Sequence, residues 1–501
     1  MQAESYESLL KENTELKGQL ASLQFQLAEM KRLIFGAKSE KFISSASNGA
    51  DTPSLFNLDT VQAAEEAKKK LVKYNKTVKP EGIKPTGRQM LPENLEREVI
   101  EIDPFEDITG LTKIGEEVTE RLDYIPGKIF VKRYVRAKYA KTMDAATGTT
   151  EVLIGKLPTA PIEKGIPEAG LLAQICVDKY ADHLPIYRQI KRYERLGMTL
   201  NASTINGWLE GINTLLRPLY ESLGSIIKRS GYIQADESPI KVLEDSKAKA
   251  HQGYMWLYRD PVKRLVYFDY QKGRDSSGPI QFLEQFQGYL QTDGYGAYEN
   301  PQIGGKSGVQ LIHCMAHARR YAEKSLDYDK ERSEHFLSEI QKLYAIERHI
   351  RENNLTGEQV VAERQQKAKP ILEALGVWLK ENYTQVLPGT PIGKAIGYAL
   401  QRWEKLSLYI TQSFLEIDNN KIENEVRPLT LGRKNFLFAG SHHGAERIAL
   451  LYSLMGCCKA HDINPYAYLK DVLQRLADYP QKKIEDLLPH NWHPLTEVPS
   501  N

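Results

Sequence analysis

Asp236 ends an apolar run in GYIQADESPIKVL, and Asp293 ends another in GYLQTDGYGAYE, just ahead of a Gly-rich loop. Carboxylates at rigid strand ends are what hard cations such as Mg²⁺ need, because those ions prefer oxygen ligands. Two such ions about 3.5–4 Å apart suit the cutting and transfer of phosphodiesters, one activating the nucleophile and one stabilising the leaving oxygen. A third carboxylate must then come from a helix. EIDNNKIENEVRPLTLGRKNFLF (416–438) supplies Glu423, one or two turns after an N-cap cluster of Asp418, Asn419 and Asn420. Glu425, on another helical face, and the more remote Glu446 are its rivals. Arg427 follows one turn later, Pro428 is expected to close the helix, and Arg433 and Lys434 can grip phosphates; Arg427, with Arg319 and Arg320 farther upstream, is also expected to contact DNA.

These side chains need a scaffold. From residue 231 the pattern is strand-like. YMWLYRD (254–260) and RLVYFDYQ (264–271) are expected neighbours joined by Pro261, a helix runs through PIQFLEQF (279–286), and VQLIHCMAHARRYAEK (309–324) reads as a strand leading into a basic helix with Arg319 and Arg320. Three strands, a helix, a strand, then a strand and helix match the order of a ribonuclease-H-like fold. His313-Cys314-x-x-His317 resembles a metal-ligand set, but no partners stand nearby in sequence, so no zinc is expected there.

Ahead of that core, HLPIYRQIKRYERLGMTLNASTINGWLEG (183–211) reads as two helices broken at Gly197, with Ser203 capping the second. This spacing fits a helix-turn-helix, although an ordinary helical hairpin has the same pattern. Arg188, Lys191, Arg192 and Arg195 give the first helix a basic face. Asn201, Ser203, Thr204 and Asn206 are placed to meet base edges from the second. KIFVKRYVRAKYA, with Lys132, Arg133 and Arg136, suggests a strand with one basic face, either a phosphate-contacting surface or a solvated edge. His442 and His443 read as a surface loop, and Cys457 and Cys458 as buried thiols of an apolar helix.

The first 34 residues carry heptads. Tyr6, Asn13, Leu20, Leu27 and Ile34 share one seam position, and Leu9, Leu16, Leu23 and Met30 the other. Such a stripe is buried by a second helix, and Asn13 in the seam favours a parallel, in-register pair. Folding back on its own domain is the other outcome. Lys+Arg total 67 and Asp+Glu 65, a net charge of +2, which excludes a uniformly basic, histone-like protein. Four cysteines are too few for a disulfide scaffold and fit a reducing compartment. There is no signal peptide and no apolar run near 18 residues, so a cytoplasmic protein with no membrane contact is expected.

LIFGAKSEKF (33–42), GRQMLPENLERE (87–98), QADESPIKVL, LQTDGYGAYE, HCMAHARRYAEK, DNNKIENEVRPLTLGRKNFLFAGS and DLLPHNWHP (486–494) are similar, in order and over nearly the whole chain, to motifs of the insertion sequence 66 family of transposases, which are DDE transposases. The resemblance implies a leucine-zipper-like arm, a small zinc-binding module, a helix-turn-helix and a ribonuclease-H-like core. It carries the catalytic and metal-binding triad onto Asp236, Asp293 and Glu423. The expected fold class is multidomain α+β: a coiled coil (1–43), a flexible linker (44–90), a small β module (91–160), a helix-turn-helix region (161–225), an α/β catalytic core (226–445) with a helical insertion over about 325–415, and a C-terminal helical region (446–501). The implied activity is Mg²⁺-dependent cleavage at the ends of a mobile element and strand transfer of 3′-OH ends, with two Mg²⁺ ions, for which Mn²⁺ can substitute. The implied partners are DNA, a second copy through the coiled coil, and accessory proteins of the same element. The setting would be the bacterial cytoplasm, with association to the nucleoid through DNA. Two other readings are a non-catalytic DNA-binding relic or regulator and a purely hydrolytic nuclease. The β module departs from the family in lacking cysteine altogether (DPFEDITGLTKIGEEV), so no zinc is expected there.

Overall fold

The computed structural model describes residues 127–495, apart from 136–137, 141–151, 155–157, 164, 245–249 and 304–307. The heptad arm, the linker, most of the β module and Arg136 lie outside these residues. Two short strands, β1 (Lys138–Ala140) and β2 (Val152–Ile154), pair antiparallel. The expected basic strand is shorter than its sequence suggests: residues 127–135 form no strand, and Phe130, Val131 and Val135 face solvent.

Three helices follow: α1 (Ala169–Tyr180), α2 (Ile186–Arg195) and α3 (Ala202–Lys228). Gly197 ends α2 at φ +85°, a conformation glycine adopts without penalty. The second helix starts earlier than expected. Asn201 is its N-cap, in extended conformation and without a side-chain cap bond, so Ser203 lies inside the helix. Ile205, Trp208, Leu209 and Ile212 bury one face of α3, which runs on along the sheet.

The sheet has five strands: β3 (Tyr232–Val242), β4 (His251–Asp260), β5 (Leu265–Gln271), β6 (Gly288–Thr292) and β7 (Val309–His313). Their spatial order is β5-β4-β3-β6-β7. The first three pair antiparallel, while β6 and β7 run parallel to β3. Short helix α4 (Ser277–Phe282) links β5 to β6, and α5 (Met315–Glu323) leaves β7. The fold is mixed α+β.

Between α5 and the Glu423 helix stand α6 (Lys330–Glu352), α7 (Glu358–Glu363), α8 (Lys369–Tyr383), α9 (Pro391–Gln401) and α10 (Trp403–Ser407). They build their own apolar core, with Phe336, Ile340, Leu372, Leu379 and Ile396 at its centre. One turn of π-helix, Arg364–Ala368, joins α7 to α8. Arg364 is 3% exposed, pairs with both oxygens of Glu347 at 2.8 Å, and donates to the carbonyls of Tyr409, Gln412 and Leu415.

Then come α11 (Asn420–Phe436), α12 (His442–Ala460) and α13 (Pro465–Arg475). Pro428 does not close its helix; α11 continues eight residues past it. Proline forfeits the bond to the carbonyl of residue 424, but Asn424 is exposed, and water can take that role while Ile422, Leu429 and Gly432 stay buried on either side. His442 and His443 form the first turn of α12 rather than a loop, under a Ser441 cap. Cys457 and Cys458 are buried in it, as expected. Among the described residues no helix is long and apolar enough to cross a membrane.

The Arg364 contacts generate a stability test. Arg364→Leu leaves a buried carboxylate and three carbonyls without their donor, which costs about 3–5 kcal/mol. Denaturant unfolding of the full chain measures it; a loss below about 1 kcal/mol would mean that the pair does not hold this region.

Candidate active site

β3 and β6 share a pattern that becomes geometry in the sheet: Gln234-Ala235-Asp236 on one, Gln291-Thr292-Asp293 at the end of the other. The parallel register sets Tyr232 against Tyr289, Ile233 against Leu290 and Gln234 against Gln291. Asp236 and Asp293 each lie two residues past the last pair of that register, and Asp293 follows the end of β6. Both glutamines are fully buried, and Gln234 Nε2 donates to Gln291 Oε1 at 2.9 Å. Gln234 also donates to Glu416 Oε2 (3.1 Å) and accepts from Arg259 (3.0 Å), while Gln291 donates to the Glu416 carbonyl (2.8 Å). This network docks the segment leading into α11 against the two strands.

α11 then presents Glu423. Asp418 accepts from Asn420 N–H (3.0 Å) and from Tyr344 of α6 (2.7 Å), fixing the start of the helix, whose cap position is Asn419. Asp236 feels the charges of both Asp293 and Glu423, so the three expected carboxylates share one electrostatic neighbourhood. The rivals point elsewhere: Glu425 pairs with Lys459, and Glu446 with His443.

The Asp236 carboxyl is pushed up to about 8, first by burial, then by adjacent Glu237, with Asp293 and Glu423 adding to it. Its Oδ1 accepts the Glu237 N–H (2.9 Å), and Asp293 Oδ1 accepts the Tyr295 N–H (2.8 Å). Gly294, at φ +89°, makes the turn after Asp293, and a Cβ there would meet Arg402 Nε at 2.7 Å. The Asp293 carbonyl takes a bond from Tyr398 of α9 (2.7 Å).

Several neighbours were not legible in the sequence. Glu237 is held by Arg274 (2.6 Å) and Tyr298 (3.0 Å). Arg320 reaches Glu423 Oε2 at 2.6 Å and His317 Nε2 at 3.1 Å. Burial and the Arg320 charge hold the His317 imidazole below its usual range. Burial pushes the Cys314 thiol up to about 12.

The expected DNA-contacting residues fall into two groups. Arg188, Lys191, Arg195, Asn201, Ser203, Thr204, Asn206, Lys132, Arg133, Arg427 and Lys434 are exposed. Arg192 instead pairs with buried Asp178, Arg320 with Glu423, and Arg433 donates to the Pro239 carbonyl, while exposed Arg319 pairs with Glu323 on its own helix. Lys132 and Lys191 also have acidic neighbours, Glu168 and Glu194.

Residues 164–447 match the family described as Transposase IS66 family. The chain belongs to that family. Residues 453–490 match the IS66 C-terminal element, residues 22–100 the Transposase C of IS166 homeodomain, and residues 108–140 the zinc-finger binding domain of transposase IS66. The chain is 29% identical to uncharacterized protein y4jD of Sinorhizobium fredii (strain NBRC 101917 / NGR234), over 97% of this chain and 98% of that one. Uncharacterized proteins y4qI and y4hP of the same strain are 33% and 30% identical over 82% and 81% of this chain and 78% and 77% of their own.

The match over 108–140 overturns the expectation that no zinc belongs to this chain. That expectation rested on the missing cysteines alone, whereas the rest of the module's residues still match the zinc-finger family. A second correction concerns His313-Cys314-x-x-His317. Cys314, His317 and Glu423 each offer a ligand atom, all within 4.8 Å of one another. The missing partner arrives from α11, about a hundred positions on, where only folding brings it.

The Asp236 environment sets a pH dependence. The folded chain holds this proton more tightly than the unfolded chain, whose carboxyl sits near 3.8, so stability falls as pH rises from about 4 through about 8. Thermal melts of metal-free protein are expected to show that decline, and Asp236→Asn to flatten it. An identical slope in the variant would remove Asp236 as its source.

Proposed function

We propose that this transposase cuts DNA at the ends of its mobile element and joins the freed 3′-hydroxyls to target DNA. The observation that carries the reading is that Asp236 and Asp293 each stand two residues past the paired Gln234 and Gln291 of adjacent parallel strands, with the charges of Asp293 and Glu423 acting on Asp236. The sheet order supports a ribonuclease-H-like core. The donor set fits Mg²⁺: hard carboxylate oxygens, crowded enough to raise Asp236, with Asp236 and Asp293 accepting backbone N–H groups but making no ion pair among the described residues. Bound there, two such ions would supply Lewis acidity at the attacking and leaving oxygens.

The chain's own residues do the rest. β3 and the end of β6 would hold the two aspartates in one neighbourhood, locked by the Gln234–Gln291 bond beneath them. Tyr398 and Gly294 fix the turn that aims Asp293. Glu237, tied to Arg274 and Tyr298, is occupied beneath Asp236, so it stiffens the strand and does not compete as a ligand.

Basic α2 and the first turn of α3 form the surface for the element's ends, with Arg188, Lys191 and Arg195 toward phosphates and Asn201, Ser203, Thr204 and Asn206 toward bases. Two ends per element call for two subunits, which the N-terminal heptads would pair, with companion proteins of the element joining the assembly.

The test is a Mg²⁺-dependent cleavage and joining assay on element-end DNA. Asp293→Asn is expected to lower both steps by at least about a hundredfold, with folding unchanged by circular dichroism. Full activity in that variant would sink the assignment; cleavage without joining would leave a hydrolytic nuclease. Arg188→Ala is expected to weaken binding to all DNA sequences alike and to reduce the salt dependence by about one phosphate contact.

A further inference from the structure

Cys314, His317 and Glu423 present sulfur, nitrogen and oxygen to a common point, within 4.8 Å of one another. That donor mixture is unlike the all-carboxylate pair beside it. Mg²⁺ avoids sulfur, whereas zinc-class ions accept thiolate, imidazole and carboxylate together. The elements hold these atoms firmly. Cys314 is the N-cap of α5 and accepts the N–H of Asn419, the N-cap of α11, at 3.4 Å, so its sulfur lies where two helices begin. His317 follows one turn along α5, and Glu423 one turn along α11. Glu423 Oε1 is screened from water, lies 3.8 Å from His317 Nε2, and has no hydrogen-bond partner among the described residues.

Arg320 shows that a cation is wanted here. Its guanidinium reaches His317 Nε2 and Glu423 Oε2 together, so acceptors from two helices converge on one positive centre. We propose that Cys314, His317 and Glu423 form a second metal site, for one zinc-class divalent ion, which enters as Arg320 leaves. The charges balance. A neutral thiol, a carboxylate and a guanidinium sum to zero; a thiolate, a carboxylate and a divalent ion also sum to zero, with one proton released to solvent. Three protein ligands leave a fourth position open, the pattern of exchangeable rather than closed structural sites. Metal binding needs nothing from the catalytic reading. The consequence does rest on it: the ion fixes Glu423 from its far side and frees Arg320 to meet a DNA phosphate.

Cobalt(II) tests this directly, because thiolate ligation gives a sulfur-to-cobalt charge-transfer band in the near ultraviolet. Full-length chain is stripped with chelator and titrated with Co²⁺, then with Zn²⁺ as competitor. One equivalent of Co²⁺ is expected to raise the band, and Zn²⁺ to abolish it. Cys314→Ser should eliminate it with circular dichroism unchanged, and His317→Gln should weaken Co²⁺ binding at least about tenfold. Cys176→Ala, Cys457→Ala and Cys458→Ala should retain it. The module at 108–140 has no cysteine and cannot produce the signal. Arg320→Met, which removes the competing cation without touching a ligand, is expected to bind Co²⁺ more tightly. Absence of the band in the parent chain, its survival in Cys314→Ser, or unchanged affinity in Arg320→Met would overturn the proposal. Asp293→Asn should keep the band while losing DNA cleavage, so this site and the catalytic reading fail separately.

Discussion

Acids gathered in one buried neighbourhood are the constraint on which the rest of the structure depends. Burial is the larger cost of ionising Asp236, and the charges of Glu237, Asp293 and Glu423 add to it. The fold answers below the carboxylates, not at them. Gln234 and Gln291, one step of side-chain period before each aspartate, bond to each other inside the sheet and to the Glu416 segment. A buried amide that loses its partner costs about 1–3 kcal/mol, so a slip of register between β3 and β6 would orphan several groups at once. Tyr232, bonded to Gln291, and Arg259, bonded to Gln234, extend the penalty across the sheet. The strands can therefore keep the two acids in one neighbourhood although burial and mutual charge oppose their ionisation.

This explains which parts of the site could be read from the chain. Asp293 was visible because a strand end is a local feature: an apolar run, then an acid, then turn residues; Asp236 reads the same way, but β3 runs on six residues past it to Val242, so it stands inside the strand. The repeated Q-x-D spacing was a further signal, since matching polar residues two positions before each acid imply that the two strands are in register. Glu423 was visible as a first-turn acid, but its choice over Glu425 and Glu446 from residues alone was not, because helical phase is fixed only when α11 docks. In the structure Glu425 pairs with Lys459 and Glu446 with His443, while the Glu423 charge acts on Asp236.

What stayed hidden lies in pairings across long sequence separations. Arg320 and Glu423 belong to helices on either side of the insertion, and nothing in HCMAHARR announces which acid its arginines will meet. Arg192 looked like one more cation on a basic face until α1 supplied Asp178. Pro428 reads as a stop by local chemistry, and packing on both sides overrides it. In each case the local rule holds locally, and tertiary contacts of larger total energy decide the outcome.

The insertion is more than a spacer. A long excursion between α5 and α11 adds little closure entropy, since that cost grows only logarithmically with length. Its contacts with the site are specific: Tyr344 on Asp418, Tyr398 on the Asp293 carbonyl, and Arg402 packed against Gly294. Its apolar core reaches the sheet through Tyr232 and Ile312, and the π-turn guanidinium of Arg364 gathers the carbonyls of Tyr409, Gln412 and Leu415 just before Glu416. One buried arginine thus ties the exit of the insertion to its interior, and Glu416 and Asp418 just beyond it enter the glutamine network. The position of Glu423 relative to the aspartates is set by that chain of contacts. The helices between α5 and α11 thereby help to set where Glu423 stands.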